Sequence, residues 1–162
     1  MSGFRIEAAT PADLSDILCM IRELAQYEKL AHLCVAPEAD LARNLFASPA
    51  RIEVLVGRKN GESVCFALFF HNFSTFLGKP GLYLEDLFVR PGFRRNGYGR
   101  AMLVQLARLA VDRGCGRFEW SVLDWNEPAL RFYQSLGAMV LPDWRITRVT
   151  GAALAALADH RA

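Results

Sequence analysis

The chain has 162 residues, of which 52% are hydrophobic and 22% charged, a balance that supplies a core and excludes an intrinsically disordered protein. Its 19 basic and 17 acidic residues leave a net charge of +2, which does not favour a protein that coats nucleic acid or an anionic membrane. No apolar stretch reaches the length of a membrane span and the N-terminal sequence has no signal-peptide pattern, so we expect one cytoplasmic domain over residues 1–162.

The first part of the sequence predicts a strand followed by two helices. Residues 5–8 alternate polar and apolar side chains, as in a half-buried strand. Residues 10–13 read Thr-Pro-Ala-Asp, which places a hydroxyl, a proline and a carboxylate at the start of a helix whose apolar stripe runs toward Leu30. Pro37 begins a second, shorter helix that continues through Phe46.

Three strands are predicted next. Residues 51–58 and 64–73 are rich in β-branched and aromatic side chains, and the Asn60-Gly61 pair between them is a strong hairpin signal. Residues 82–89 form the third strand, which Pro91 and Gly92 follow.

The rest of the chain alternates helices and strands. A helix is predicted over residues 97–113, a strand over 118–123 and a helix over 128–136. A strand around residues 144–149 and an alanine-rich helix from Gly151 complete the pattern. The sequence therefore predicts one mixed α/β domain without linkers or repeats.

The four cysteines and three histidines show no catalytic or metal-binding pattern. The cysteines lie far apart with no CxxC pair, so we expect reduced, mostly buried thiols and no metal site. The histidines show neither triad nor ligand spacing, and we expect none of them to be catalytic.

A glycine-rich turn precedes the helix at residues 97–113. Free amides at a helix N-terminus attract phosphate, and glycines and arginines in the turn add access and positive charge. The turn has no Gly-Lys-Ser/Thr sequence, and Met102 stands where the dinucleotide fingerprint needs its third glycine. Spacing alone leaves a phosphate loop and a tight turn with solvated arginines as alternatives.

The pattern Arg94-x-x-Gly97-x-Gly99 resembles the acyl-CoA signature of the GNAT superfamily of N-acetyltransferases, and the similarity extends over nearly the whole chain. Within that superfamily the sequence most resembles the diamine (spermidine/spermine) acetyltransferases and their thialysine Nε-acetyltransferase branch. The supporting stretches are residues 16–18, 22–25, 27–30, 82–87, 122–128, 132–133 and 136–138. The resemblance implies a central mixed, twisted sheet flanked by helices, with splayed strands that form an acyl-CoA cleft.

The resemblance also implies where acetyl-CoA would bind. A bulged strand would offer backbone groups to pantetheine, the turn would hold the pyrophosphate, and a segment after the next strand would contact the cofactor. These positions are Leu87, Phe88, Val89, Arg94, Arg95, Asn96, Gly97, Tyr98, Gly99, Arg100, Asn126, Glu127, Pro128, Ala129 and Tyr133. An N-terminal helix cap is an equal interpretation of Asn126, and the two roles are compatible.

Two residues are the candidate catalytic groups. Tyr133 matches the family's general acid, which protonates the leaving thiolate; packing against Phe132 is the alternative. Glu85 matches a base that acts through a water, because an ammonium must lose a proton before it attacks a thioester.

Carboxylates inside an apolar strand point to a cationic substrate, although one exposed and one salt-bridged acid is the alternative for the adjacent Glu85 and Asp86. Consecutive strand residues face opposite sides, so a bulge is needed for them to share a cavity. The substrate-contacting positions implied by the family match are Tyr27, Glu28, Glu85, Asp86, Glu119, Trp120 and Ser121.

The sequence departs from the polyamine-acetylating pattern after Glu28. Residues 29–33 contain no acid where those enzymes have several, so we expect a short diamine or a lysine analogue such as thialysine rather than spermine. Transfer is expected by direct attack in a ternary complex, with peptide acetylation and a non-catalytic acyl-CoA sensor as alternatives. Similar proteins are homodimers, and the phenylalanines at positions 69, 70, 73 and 76, with Trp144, belong either to the core or to a dimer surface.

Overall fold

A five-stranded mixed sheet dominates the part of the chain before Val122. In this computed structural model, which describes residues 3–160, the chain divides into two compact units, Met1–Ser121 (unit 1) and Val122–Ala162 (unit 2). The single domain over residues 1–162 stays a prediction.

Among the described residues, unit 1 contains five strands, three α-helices and three short 3₁₀-helices. The strands and α-helices, in chain order, are β1 (Phe4–Ala8), α1 (Leu14–Tyr27), α2 (Glu38–Phe46), β2 (Glu53–Lys59), β3 (Glu62–Ser74), β4 (Lys79–Val89), α3 (Tyr98–Asp112) and β5 (Arg117–Trp120). The strand order follows the sequence order; β1 to β4 pair antiparallel, and β5 pairs parallel to β4. The predicted mixed sheet flanked by helices is confirmed.

The helices cover the sheet on two faces. Alternate residues of the central strands, among them Val56, Phe66 and Phe88, form one core with buried side chains of α1 and α2. Residues of α3 such as Met102 and Leu106 are fully buried, and α3 packs on β3 and β4. Strands buried on both faces explain the nearly continuous apolar sequence of β3.

A buried ion pair fixes the start of α1. The carboxylate of Asp13 accepts hydrogen bonds from the amide (2.8 Å) and hydroxyl (2.9 Å) of Thr10, and it pairs with Arg58 on β2. Burial alone would raise the pKa of Asp13, but these bonds together hold it below its ordinary value. The predicted start signal does form a capping box, but it begins a short 3₁₀-helix, Pro11–Asp13, and α1 follows at Leu14 with Asp13 as its N-cap. The pairing of Asp13 with Arg58 ties this start to the sheet.

Two local predictions were too long. The helix expected to run toward Leu30 ends at Tyr27, because Lys29 adopts a left-handed conformation (φ 63°) and the Leu30 amide bonds back to the Ala25 carbonyl at 2.8 Å. The strand expected over residues 118–123 is β5, which ends at Trp120.

Unit 2 contains α4 (Glu127–Gln134) and α5 (Gly151–Ala158). The strand predicted around residues 144–149 is wrong, since these residues form neither helix nor strand and Trp144 is 78% exposed. A strand needs a partner for its backbone groups, and the described part of unit 2 contains only helices to pair with.

The aromatic residues of the β3–β4 hairpin separate into two sets. Phe69 is 1% exposed and belongs to the core, whereas Phe73 and Phe76 are exposed at the far end of the hairpin.

No helix among residues 3–160 is long and apolar enough to cross a membrane.

Candidate active site

A β-bulge in β4 places the two adjacent carboxylates. Leu68 of β3 lies opposite Asp86 and Phe69 lies opposite Leu84, so Glu85 is an extra residue in β4. Asp86 consequently shares a sheet face with its partner Leu68 and with Phe88, which is the face that α1 covers. The bulge thus turns Asp86 toward the helix and leaves Glu85 exposed.

Three carboxylates form one cluster at this point: Glu28, Glu85 and Asp86 (the carboxylate cluster). Burial first, and then the neighbouring charges of Glu85 and Glu28, together raise the pKa of Asp86 to about 6. Burial also raises the pKa of Glu28, which follows the last residue of α1. Carboxylates that disfavour one another's ionisation are stabilised by a cation, so the cluster is suited to an ammonium group.

β4 continues beyond its pairing with β5. The parallel pairing runs from Gly81–Arg117 to Leu84–Trp120, and among residues 3–160 no strand pairs with the side of Glu85–Val89 that faces away from β3. We call this side the open edge of β4. The amide of Arg90 bonds to Val64 of β3 at 3.0 Å, so by alternation the amides of Val89 and Leu87 point to the open edge. An extended ligand chain can therefore add there as a strand would.

The glycine-rich turn lies directly after β4 and opens α3. Gly97 has a φ of 81°, which favours glycine, and the first helical bond joins the Ala101 amide to the Gly97 carbonyl at 3.0 Å. The amides of residues 98–100 precede that bond and point along the helix axis, where they attract an anion. Asn96 stabilises the turn, since its amide donates to the carbonyls of Phe93 (3.1 Å) and Arg94 (3.2 Å).

The three arginines of the turn differ in their surroundings. Arg95 and Arg100 are exposed, and Arg95 has a left-handed backbone conformation (φ 65°). Arg94 is half-buried, and its guanidinium lies over the ring of Tyr27 at the end of α1. Sequence spacing did not distinguish these three side chains.

The predicted substrate residues Glu119 of β5 and Ser121, just after β5, already have side-chain partners. Glu119 pairs with Arg117 (2.8 Å) and accepts from the Asn72 amide at 3.2 Å. The Ser121 hydroxyl lies 2.8 Å from that of Tyr83 on β4. Sequence reasoning missed these contacts because they depend on which strands are neighbours. Substrate binding by this segment, including Trp120, stays a prediction.

In unit 2, α4 carries the candidate general acid. The side chain of Asn126 accepts a hydrogen bond from the Ala129 amide at 3.4 Å, so Asn126 does cap the helix. Tyr133 is half-buried, with its ring centroid 5.4 Å from that of Phe132. Glu127 pairs with Arg131 one turn later at 2.8 Å.

An open strand edge that continues into an anion-binding helix N-terminus fits a ligand with an extended chain and a phosphate group, which is the shape of acyl-CoA. The acetyltransferase (GNAT) family model matches residues 20–138, and the chain belongs to that family. The protein is an acetyl-CoA-dependent N-acetyltransferase, and its family uses acetyl-CoA as co-substrate.

Curated relatives of similar length act on small amines. An L-ornithine N5-acetyltransferase of Arabidopsis thaliana is 36% identical, with 94% of this chain and 87% of the relative covered. A thialysine N-epsilon-acetyltransferase of Mus musculus is 36% identical over 99% of this chain and all of its own length. The thialysine N-epsilon-acetyltransferase of Caenorhabditis elegans is 34% identical over 99% of this chain and all of its own length.

Solved structures show the same fold. An integron cassette protein from Vibrio cholerae superposes with a TM-score of 0.82 at 26% identity, covering 99% of this chain and 100% of the other. An aminoglycoside acetyltransferase from a soil metagenomic sample, solved with trehalose, has a TM-score of 0.77 at 18% identity, covering 91% and 96%.

Proposed function

We propose that the protein transfers the acetyl group of acetyl-CoA to a primary amine of a small cationic substrate, a lysine analogue such as thialysine or a short diamine. The observation that carries this proposal is the carboxylate cluster at the bulge of β4. It lies one residue before Leu87, whose amide points to the open edge. Relatives named for thialysine and ornithine acetylation support the same substrate class.

The co-substrate supplies an activated acetyl group, and the chain offers groups that fit it. Backbone atoms of Leu87 and Val89 at the open edge would pair with pantetheine, and the Leu87 amide would polarise the thioester carbonyl. The turn amides with Arg95 and Arg100 would hold the pyrophosphate, and residues 126–129 of unit 2 would add contacts.

The carboxylates have separate roles in this proposal. Asp86 and Glu28 anchor the ammonium group because burial and mutual repulsion make their negative charge favour a cation. Glu85 is exposed, so a water can relay the amine's proton to it. Tyr133 protonates the departing thiolate, and the acetyl group passes directly to the amine in a ternary complex.

A short substrate is favoured by the sequence after the cluster. Helix α1 ends at Tyr27, and residues 29–33 place no acid beyond Glu28. The distal ammonium groups of spermine, which extend beyond Glu28, would therefore find no carboxylate among residues 29–33.

Release of CoA thiol from acetyl-CoA tests the proposal against thialysine, lysine, ornithine, putrescine, spermidine, spermine and short peptides. We expect turnover of the short amines and lysine analogues, and a raised KM for them in Glu28→Gln but not in Glu38→Gln, an exposed acid at the start of α2. Turnover of peptides alone would make the protein a peptide acetyltransferase. Binding of acetyl-CoA without turnover of any acceptor would make it a sensor.

A homodimer and a cytoplasmic location stay predictions of the same proposal. The exposed Phe73 and Phe76 supply apolar surface for a subunit contact. Sedimentation of the purified chain measures the first, and fractionation of cells measures the second.

A further inference from the structure

Arg94, the first arginine of the glycine-rich turn, contacts the end of β4 and the last residue of α1, which directly precedes Glu28 of the carboxylate cluster. The Arg94 Nε donates to the Val89 carbonyl at 3.0 Å. Its guanidinium carbon lies 4.7 Å from the centroid of the Tyr27 ring and 5.7 Å from that of Phe88. These contacts join the turn to the end of β4 and to the last residue of α1.

The Val89 carbonyl takes the Nε–H of Arg94 and the two rings take the face of its guanidinium, so these three contacts together fix the direction of the side chain. Cation–π contacts strengthen as the groups lose water, and Arg94 is half-buried. The neighbouring Arg95 and Arg100 are exposed and make no such contact among those the structure describes. In the turn, Arg94 is therefore held by contacts within the protein, whereas Arg95 and Arg100 are exposed to a ligand.

We propose that Arg94 is a positioning residue for amine binding, which holds Tyr27, and through it Glu28, against the end of β4. This inference rests on the proposed function. Tyr27 ends α1 and Glu28 caps it, while Lys29 turns the chain away with a φ of 63°. Holding the Tyr27 ring fixes the last turn of the helix, and that turn sets where the Glu28 carboxylate stands relative to Asp86.

The test separates amine affinity from cofactor affinity. Arg94→Met keeps an unbranched apolar stem but loses the donor and the charge, and Arg95→Met is the matched variant in the same turn. Losing a half-buried cation–π contact predicts a rise of about fivefold to tenfold in the amine KM for Arg94→Met. The dissociation constant for CoA, measured by calorimetry, should stay within about twofold of the wild-type value. Arg95→Met should instead raise the dissociation constant for CoA and leave the amine KM unchanged.

A double-mutant cycle adds a readout specific to the contact. Tyr27→Leu removes the ring, so Arg94→Met should raise the amine KM little further in that background. Weakened CoA binding with an unchanged amine KM in Arg94→Met would make Arg94 a phosphate ligand and overturn the proposal. Additive effects of the two substitutions would overturn it as well.

Amide hydrogen exchange gives a measurement that does not depend on turnover. Exchange at residues 26–28 should be faster in Arg94→Met than in the wild type and unchanged in Arg95→Met. If the wild-type protein acetylates no amine, the proposed function fails, and this comparison alone decides the role of Arg94. Equal exchange in Arg94→Met and the wild type would refute the positioning role.

Discussion

Replacing Asp86 by asparagine should make the folded protein more stable at neutral pH while it weakens amine binding. The pKa of Asp86 rises from its ordinary value of 3.8 to about 6, first through burial and then through Glu85 and Glu28. Ionisation therefore costs more in the folded than in the unfolded state. The favourable contribution of the protonated acid is fully present below pH 3.8 and is lost as the pH rises through about 6.

The magnitude follows from the same values. A rise from 3.8 to about 6 corresponds to about 3 kcal/mol when the acid is fully ionised in both states. Asparagine does not titrate, so the advantage of Asp86→Asn over the wild type should grow by about 2 kcal/mol between about pH 4.5 and about pH 7.5. Any cost of packing the asparagine amide is the same at both pH values, so it cancels when the two stability differences are subtracted.

Urea unfolding at the two pH values measures this difference. Asp112→Asn, which removes an exposed carboxylate at the end of α3, is the matched control and should not reproduce the increase. An advantage of Asp86→Asn that is the same at both pH values would show that the carboxylate cluster does not destabilise the ionised acid. The reasoning about ammonium binding would then lose its electrostatic basis.

Two further predictions concern the acid and the sheet. Tyr133→Phe should lower kcat on the order of 10²-fold while CoA affinity is retained, as steady-state kinetics and calorimetry would show; an unchanged kcat would remove Tyr133 as the general acid. Gly57→Ala should destabilise the fold by about 1–3 kcal/mol, because its methyl would lie 2.3 Å from the buried Cys65 Sγ. Gly92→Ala meets no atom within 4 Å and is the control, and equal unfolding midpoints for the two variants would contradict the clash.

Local signals in the sequence predicted most of the fold. The Asn60-Gly61 pair adopts the two left-handed conformations (φ 50° and 88°) of a two-residue hairpin, and the Thr10 to Asp13 capping pattern begins the first helix. These features depend on neighbours in the chain. Residues 144–149 show the limit, since a predicted strand forms only where a partner strand is available.

The sequence names candidate site residues but does not show how they are arranged. The family resemblance pointed to Glu85 and Asp86, yet only the pairing of β4 with β3 shows that Glu85 is the bulged residue. Likewise, the three arginines of the turn are equivalent by spacing. Arg94 differs from the other two because it contacts Tyr27, which lies 67 residues before it in the chain.

The open edge of β4 also bears on how the protein behaves without its co-substrate. Exposed strand edges are templates for pairing with other chains, and proteins usually protect them with charges, prolines or a covering element. Residues 87–89 are Leu-Phe-Val and contain no charge or proline, and at the end of the edge Arg94 donates to the Val89 carbonyl. Pantetheine bound along them would act as a removable cover, so acetyl-CoA would guard the protein against self-association as well as supply its acetyl group.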